Sequence, residues 1–121
     1  MDHHELLTQA YAAFNARDLE SALQTMHEDV DWPNGMEGGR VRGHAGVRDY
    51  WTRQWSLIDP KVDPVGFSEA PDGVTVVKVN QVVRSLEGGV LMDGQVEHAY
   101  RIEEGLIRSM EIREASDFRS N

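Results

Sequence analysis

The chain has 121 residues, which is one domain's worth and enough to bury a core without disulfides. Hydrophobic residues make up 40% and charged residues 27%, a soluble globular balance, and no apolar run approaches the roughly 18 residues of a membrane span. Twelve Lys and Arg against twenty-one Asp and Glu leave a formal charge of −9, which repels phosphate backbones and anionic headgroups, so neither nucleic acid nor a membrane is an expected partner.

There is no cysteine, which removes disulfides, thiol nucleophiles and cysteine zinc sites together. The opening "MDHHELLTQA" carries acids where a secretion signal would carry positive charge, and a cytoplasmic location is expected.

Asp2 with Glu5 three residues on is a helix start, and Leu6, Leu7, Ala10, Tyr11 and Phe14 follow at helical spacing. Residues 15–18 break that pattern. Asp18 caps a second helix with the stripe Leu19, Ala22, Leu23 and Met26, which residues 27–29 end. Val30, Asp31 and Trp32 alternate as a short strand that Pro33 stops or leaves at an edge. That alternation turns Trp32 and Asn34 inward and Asp31 outward.

Residues 34–43 read as a loop at a pocket rim, either a lid or simply a corner. Its "GMEGG" is no phosphate loop, because the closing Gly-Lys-Ser/Thr is missing. Asn34 offers an amide to a ligand, yet Asn before Gly is also a common turn residue. Residues 44–56 form a third helix with Val47, Trp51 and Trp55 on one face and Tyr50 beside them.

From Val62 onward the signals are those of strands. A turn at Pro71, Asp72 and Gly73 leads into a β-branched run where Gln81 interrupts Val77, Val79 and Val83, a polar point in an apolar wall. Residues 86–94 carry two turn signals. Val96, His98, Tyr100 and Ile102 then share one face, with Glu97, Ala99, Arg101 and Glu103 on the other. The last strand sets Leu106, Arg108, Met110 and Ile112 on one side, and the polar residues 114–121 read as a flexible tail. The whole is a single domain, 1–121, with its core at about 5–113.

Helices first and an antiparallel meander after make an α+β domain. A strongly curved sheet folded over three helices leaves a hollow lined by the sheet's concave face. His98 points into it with its apolar neighbours, and burial lowers the pKa of an imidazole. A neutral ring donates with one nitrogen and accepts with the other, which suits proton shuttling; the alternative is a structural histidine bonded to a helix residue such as Tyr11. Aromatics converging on a hollow suit a flat apolar ligand. His3, His4, His27, His44 and His98 show no metal-ligand spacing, so neither metal nor cofactor is expected.

The stretches "AYAAFNARDLESALQTMHEDVDWPNG", "VRGHAGVRDYWTRQW" and "VEHAYRIEEGLIRSMEI" resemble the SnoaL-like branch of the nuclear transport factor 2-like superfamily over roughly residues 5 to 113. The resemblance implies a cone-like roll: three helices packed in a strongly curved, mostly antiparallel sheet, with a pocket at the wide end and, in many members, dimerisation through the sheet. It spans ketosteroid isomerases, polyketide cyclases and dehydratases, so it does not select a reaction. The isomerases' helix tyrosine falls on Ala10, with Tyr11 one place away. Their aspartate base falls on Asn34, and their protonated aspartate falls on His98. None of the three groups is kept in kind, while the cyclases' acid near the His98 position keeps a proton-transfer role there.

The expected function is a cofactor-independent isomerase, cyclase or dehydratase acting on a small apolar or aromatic substrate. His98 would be its acid–base group, with Asn34 and Gln81 orienting the substrate. Trp32, Trp51, Trp55, Tyr100 and Met110 would form the walls, the last by resemblance, and a homodimer is expected. The alternatives are a non-catalytic carrier or sensor, and a protein-assembly module using the outer sheet face.

Overall fold

In the computed structural model, which describes residues 2–114, the chain runs α1 (His3–Asn15), α2 (Leu19–Gln24), β1 (Met26–Pro33), β2 (Arg40–Arg42), α3 (Gly43–Leu57), β3 (Ile58–Glu69), β4 (Thr75–Ser85), β5 (Val90–Glu103) and β6 (Leu106–Glu114). Asp2 and Glu5 close a reciprocal capping box on α1, and Asp18 accepts the Ser21 amide at the start of α2. The strands make one curved, open sheet in the order β2-β1-β6-β5-β4-β3. Neighbours are antiparallel except β1 and β6. Helix α1 packs on β3, and α3 packs on β1 and β3. One core joins them, with Leu7, Leu23, Val30, Val47, Val77, Val79 and Ile107 almost wholly buried. The α+β expectation is met. The tail expected at 114–121 has its residues 115–121 outside the described residues.

Four local expectations change. The second helix ends at Gln24 rather than running through Met26, which is already in β1 opposite Ile107. The Thr25 carbonyl accepts the Ile107 amide at 2.8 Å, so sheet pairing takes the chain out of the helix there. The loop 34–43 is mostly a hairpin, because residues 40–42 form β2 and pair with β1 at Arg40↔Pro33, Val41↔Trp32 and Arg42↔Asp31. Strand β3 starts at Ile58, directly after α3, and not near Val62. The second turn signal, Asp93-Gly94, lies inside β5, where both residues pair with β4 across from Val82 and Gln81.

The largest departure is in β6. Pairing with β5 steps from Arg101↔Ser109 to Ile102↔Ile107, a β-bulge that leaves Arg108 unpaired. The expected face of Leu106, Arg108, Met110 and Ile112 is therefore broken. Ile107 and Met110 are the buried pair, Arg108 leaves the interior to donate to the Asp29 carbonyl, and Ile112 is half exposed. The expected inward residues of β4 and β5 are found: Val77, Val79 and Val83 are buried on one, His98 and Tyr100 on the other, with Ala99 between them buried as well.

Strand β3 is a sheet edge, and Asn15 covers part of it. Its amide donates to the Val62 carbonyl at 2.7 Å and accepts the Val62 N–H at 3.0 Å, so the end of α1 completes the strand's outer hydrogen bonds. Asn15→Leu would strand both backbone groups. It is expected to cost about 1–3 kcal/mol in urea unfolding; a variant as stable as the parent would show that water replaces the clasp.

Candidate functional site

Between the helices and the sheet lies a cavity of about 90 Å³. Its walls come from α1 (Tyr11, Phe14), β1 (Trp32), α3 (Trp51, Gln54), β4 (Gln81), β5 (His98, Tyr100) and β6 (Met110, Ile112). The rings meet edge to face: Trp32 and Trp51 lie 5.6 Å apart at 78°, and Phe14 and Trp51 4.9 Å apart at 81°. An apolar core cavity of roughly 150 Å³ holds one benzene ring. This cavity is smaller, so even a one-ring ligand must extend outward past the partly exposed lining residues, which are Phe14, Pro33, Gln54, Gln81 and Ile112.

Polar contacts on the inner wall form one string. The Tyr100 hydroxyl donates to the Tyr11 hydroxyl at 2.8 Å, and the Tyr11 hydroxyl stands 2.7 Å from His98 Nδ1. The Tyr11 and His98 rings are nearly parallel, at 8°. Tyr11 accepts the proton of Tyr100 and keeps its own available to Nδ1, the arrangement that uses both hydroxyl protons of the string. Nδ1 is then the acceptor, and the single proton of the neutral imidazole sits on Nε2, which has no partner among the described residues. Burial pulls the His98 pKa down to about 4 and pushes both phenols up, so all three groups are uncharged at neutral pH.

Six of the eight residues expected at the site line the cavity: His98, Trp32, Trp51, Gln81, Tyr100 and Met110. Asn34 is buried but turned to other work. Its Oδ1 accepts the amides of Met36 and Glu37, and its Nδ2 donates to the Glu37 carboxylate, so it organises the β1–β2 turn. Trp55 lies behind the wall, packed on Phe14 and Trp51 under the Arg17 guanidinium. Asp31 faces away, as its alternation implies, and pairs with Arg40 at 2.6 Å. The turn is held to α3 twice, by Gly35 N–H on the Tyr50 hydroxyl at 3.0 Å and by Glu37 on Arg53 at 3.0 Å. The Asn34 amide, and after it the Arg53 contact, hold the Glu37 carboxyl below the usual range.

Gln54 gives no signal in the apolar pattern of α3, although it follows Tyr50 by four residues and so shares its helix face. Its Nε2 donates to the Tyr50 hydroxyl at 3.2 Å, while Oε1 is buried without a partner. Tyr11 was visible only as a possible partner for His98; one turn from Phe14 on the apolar face of α1, it carries the central bond of the string. No charged side chain lines the cavity, and among the described residues no three His, Asp or Glu side chains gather as a metal site would need.

The buried imidazole makes stability depend on pH. Its folded value of about 4 lies below the ordinary 6.5, so between them the unfolded chain binds a proton that the folded chain refuses. This contribution is complete above about pH 6.5 and is lost as pH falls towards 4, roughly 3 kcal/mol in all. Urea midpoints measured across that window should fall more steeply for the parent chain than for His98→Gln. Equal slopes would mean that the imidazole is solvated.

Three comparisons bear on these features. A family model described as a SnoaL-like domain matches residues 7–110. No curated protein matches the chain. Among solved structures, TerC, co-crystallised with polyporic acid, is similar at 29% identity and a TM-score of 0.79 over 95% of this chain and 92% of that one. An NTF2-like protein of unknown function from Burkholderia pseudomallei is 25% identical, with a TM-score of 0.79 over 96% and 92%. A protein provisionally named a polyketide cyclase, from Pseudomonas putida, is 20% identical with a TM-score of 0.74 over 97% and 94%, a likeness of fold alone. With the match running from the first helix into the last strand, the chain belongs to the SnoaL-like domain family.

Proposed function

We propose that this chain is a small-molecule enzyme of the isomerase, cyclase or dehydratase kind that acts on an aromatic substrate by acid–base chemistry at His98. The observation that carries the reading is the imidazole itself. It lines an aromatic cavity, is kept neutral by burial, and holds one nitrogen against Tyr11 while the other stays unpaired. In that state Nε2–H donates to a carbonyl oxygen and supports the negative charge that develops there as the carbonyl is enolised or attacked. The co-crystallisation of TerC with polyporic acid, at 29% identity, supports an aromatic ligand.

The cavity wall has no carboxylate to remove a carbon-bound proton. This favours substrates whose reacting C–H is already acidic, and it equally suits a carrier that only binds. No helix among the described residues is long and apolar enough to cross a membrane. We place the protein in the cytoplasm, as a homodimer formed through the sheet, where Leu86, Val90, Leu91 and Met92 leave apolar surface exposed. Sedimentation showing only monomer would remove the dimer from this reading.

Trp32 and Trp51 make binding visible as fluorescence quenching. Polyporic acid and a panel of flat aryl ketones should include a ligand that quenches, and product formation is followed by absorbance. Tyr11→Phe and His98→Gln should lower kcat about a hundredfold or more while Kd changes little. A shift in Kd alone would make the protein a carrier, and no quenching by any compound would end the small-molecule reading.

A further inference from the structure

The cavity's polar points are all uncharged, and one is a buried acceptor with nothing to accept. Gln54 is tethered at one end: the Tyr50 oxygen collects the Gly35 N–H at 3.0 Å and the Gln54 amide N–H at 3.2 Å, so Nε2 is committed. Oε1, on a residue that lines the cavity, has no partner. A buried carbonyl oxygen left unpaired is costly, and a ligand O–H that reaches it recovers a hydrogen bond a bare aromatic ring cannot make.

We propose that Gln54 is a specificity-determining residue, its Oε1 accepting a hydrogen bond from a hydroxyl on an uncharged aromatic ligand. The inference rests on the small-molecule reading above and deepens it. His98 Nε2–H asks for an acceptor such as a carbonyl oxygen, and Gln54 asks for a donor. The ligand class is therefore an aromatic molecule with a hydroxyl at one place and a carbonyl at another. An anion has no cationic side chain to meet in the cavity, and the chain's overall charge of −9 opposes its approach. Arg53, at the turn that packs on α3, is taken by the Glu37 carboxylate.

The test uses three one-ring probes: para-hydroxyacetophenone, its methyl ether para-methoxyacetophenone, and para-hydroxybenzoate as the anion. Each is titrated by tryptophan quenching, slightly below neutral pH so that the phenol stays protonated, against the parent chain and Gln54→Leu. In the parent the hydroxy ketone should bind about tenfold tighter than its ether, the value of one hydrogen bond to a buried group, and the benzoate weaker than both. In Gln54→Leu the hydroxy ketone should lose that advantage and the ether should keep its affinity.

An ether that binds the parent as well as the phenol overturns the proposal, and so does a variant that weakens both ketones alike. A benzoate that binds as tightly as the hydroxy ketone overturns the requirement for an uncharged ligand. In each of these cases quenching itself survives, and with it the small-molecule reading; no quenching by any probe rejects both. Should Gln54→Leu fail to fold, Gln54→Met, which keeps the side chain's length and removes its acceptor oxygen, takes its place with the same expected outcomes.

Discussion

An imidazole placed among aromatic side chains has to shed its charge and still find partners for its nitrogens. His98 does this through Tyr11, whose hydroxyl reaches Nδ1 from a helix 87 positions earlier in the chain. That bond makes the register of β5 more than a matter of apolar burial. If the strand slipped by one residue, His98 and Tyr100 would turn to the outer face, and Glu97 and Arg101 would point at the helices. The alternation that buries the ring therefore also keeps charge out of the cavity. Tyr100, two residues on and on the same face, completes the string, so one stretch of strand supplies both its ends.

Keeping the 96–102 stretch of β5 in register puts a demand on its neighbour. Strand β6 must bring two large apolar side chains, Ile107 and Met110, onto a face where strict alternation would set Arg108 beside Met110. The bulge opposite Arg101 and Ile102 takes up the mismatch, and Arg108 ends on the Asp29 carbonyl at the β1 side. A second arginine, Arg40, closes over the same seam, donating to the Met110 carbonyl at 2.6 Å and to Asp31. Cations are thus used around β6, on backbone carbonyls at its edges, and none reaches the interior.

These two strands also mark the limit of what was legible in the sequence. Periodicity showed the faces of α1, α3, β4 and β5, because each is a run of single-period structure with one buried side. It could not show the bulge, since an extra residue in one strand is decided by pairing with another. It could not show β2 either: Arg40, Val41 and Arg42 have no pattern of their own and become a strand only because the Asn34 turn folds them back on β1. The inward direction of Asn34 was readable and is found, but its side chain is consumed by the turn that its own backbone begins. Met26 carried a helical period and lies in a strand, because Ile107 pairs with it from the far end of the chain. The candidate site was therefore legible where it depends on strand faces, and illegible where it depends on which polar atoms remain unspent.

Unspent polar atoms are what give this cavity its character. Gln54 and His98 come from α3 and β5, and each presents one unpaired polar end to a wall that Gln81 of β4 shares. A fully satisfied interior would be inert packing, and one with an unpaired charge would be too costly to form. Neutral groups tied at one end sit between those limits: the tether fixes their direction, and the cost of the unpaired end is recovered when a ligand supplies its partner. Discrimination in such a site rests on where donors and acceptors lie along an aromatic frame. Net charge acts earlier, on which ligands approach, since the −9 is carried on surfaces outside the uncharged lining. The hydrogen bonds that hold the fold at Tyr11 and Tyr50 are, for that reason, the same bonds that decide which atoms a ligand can meet.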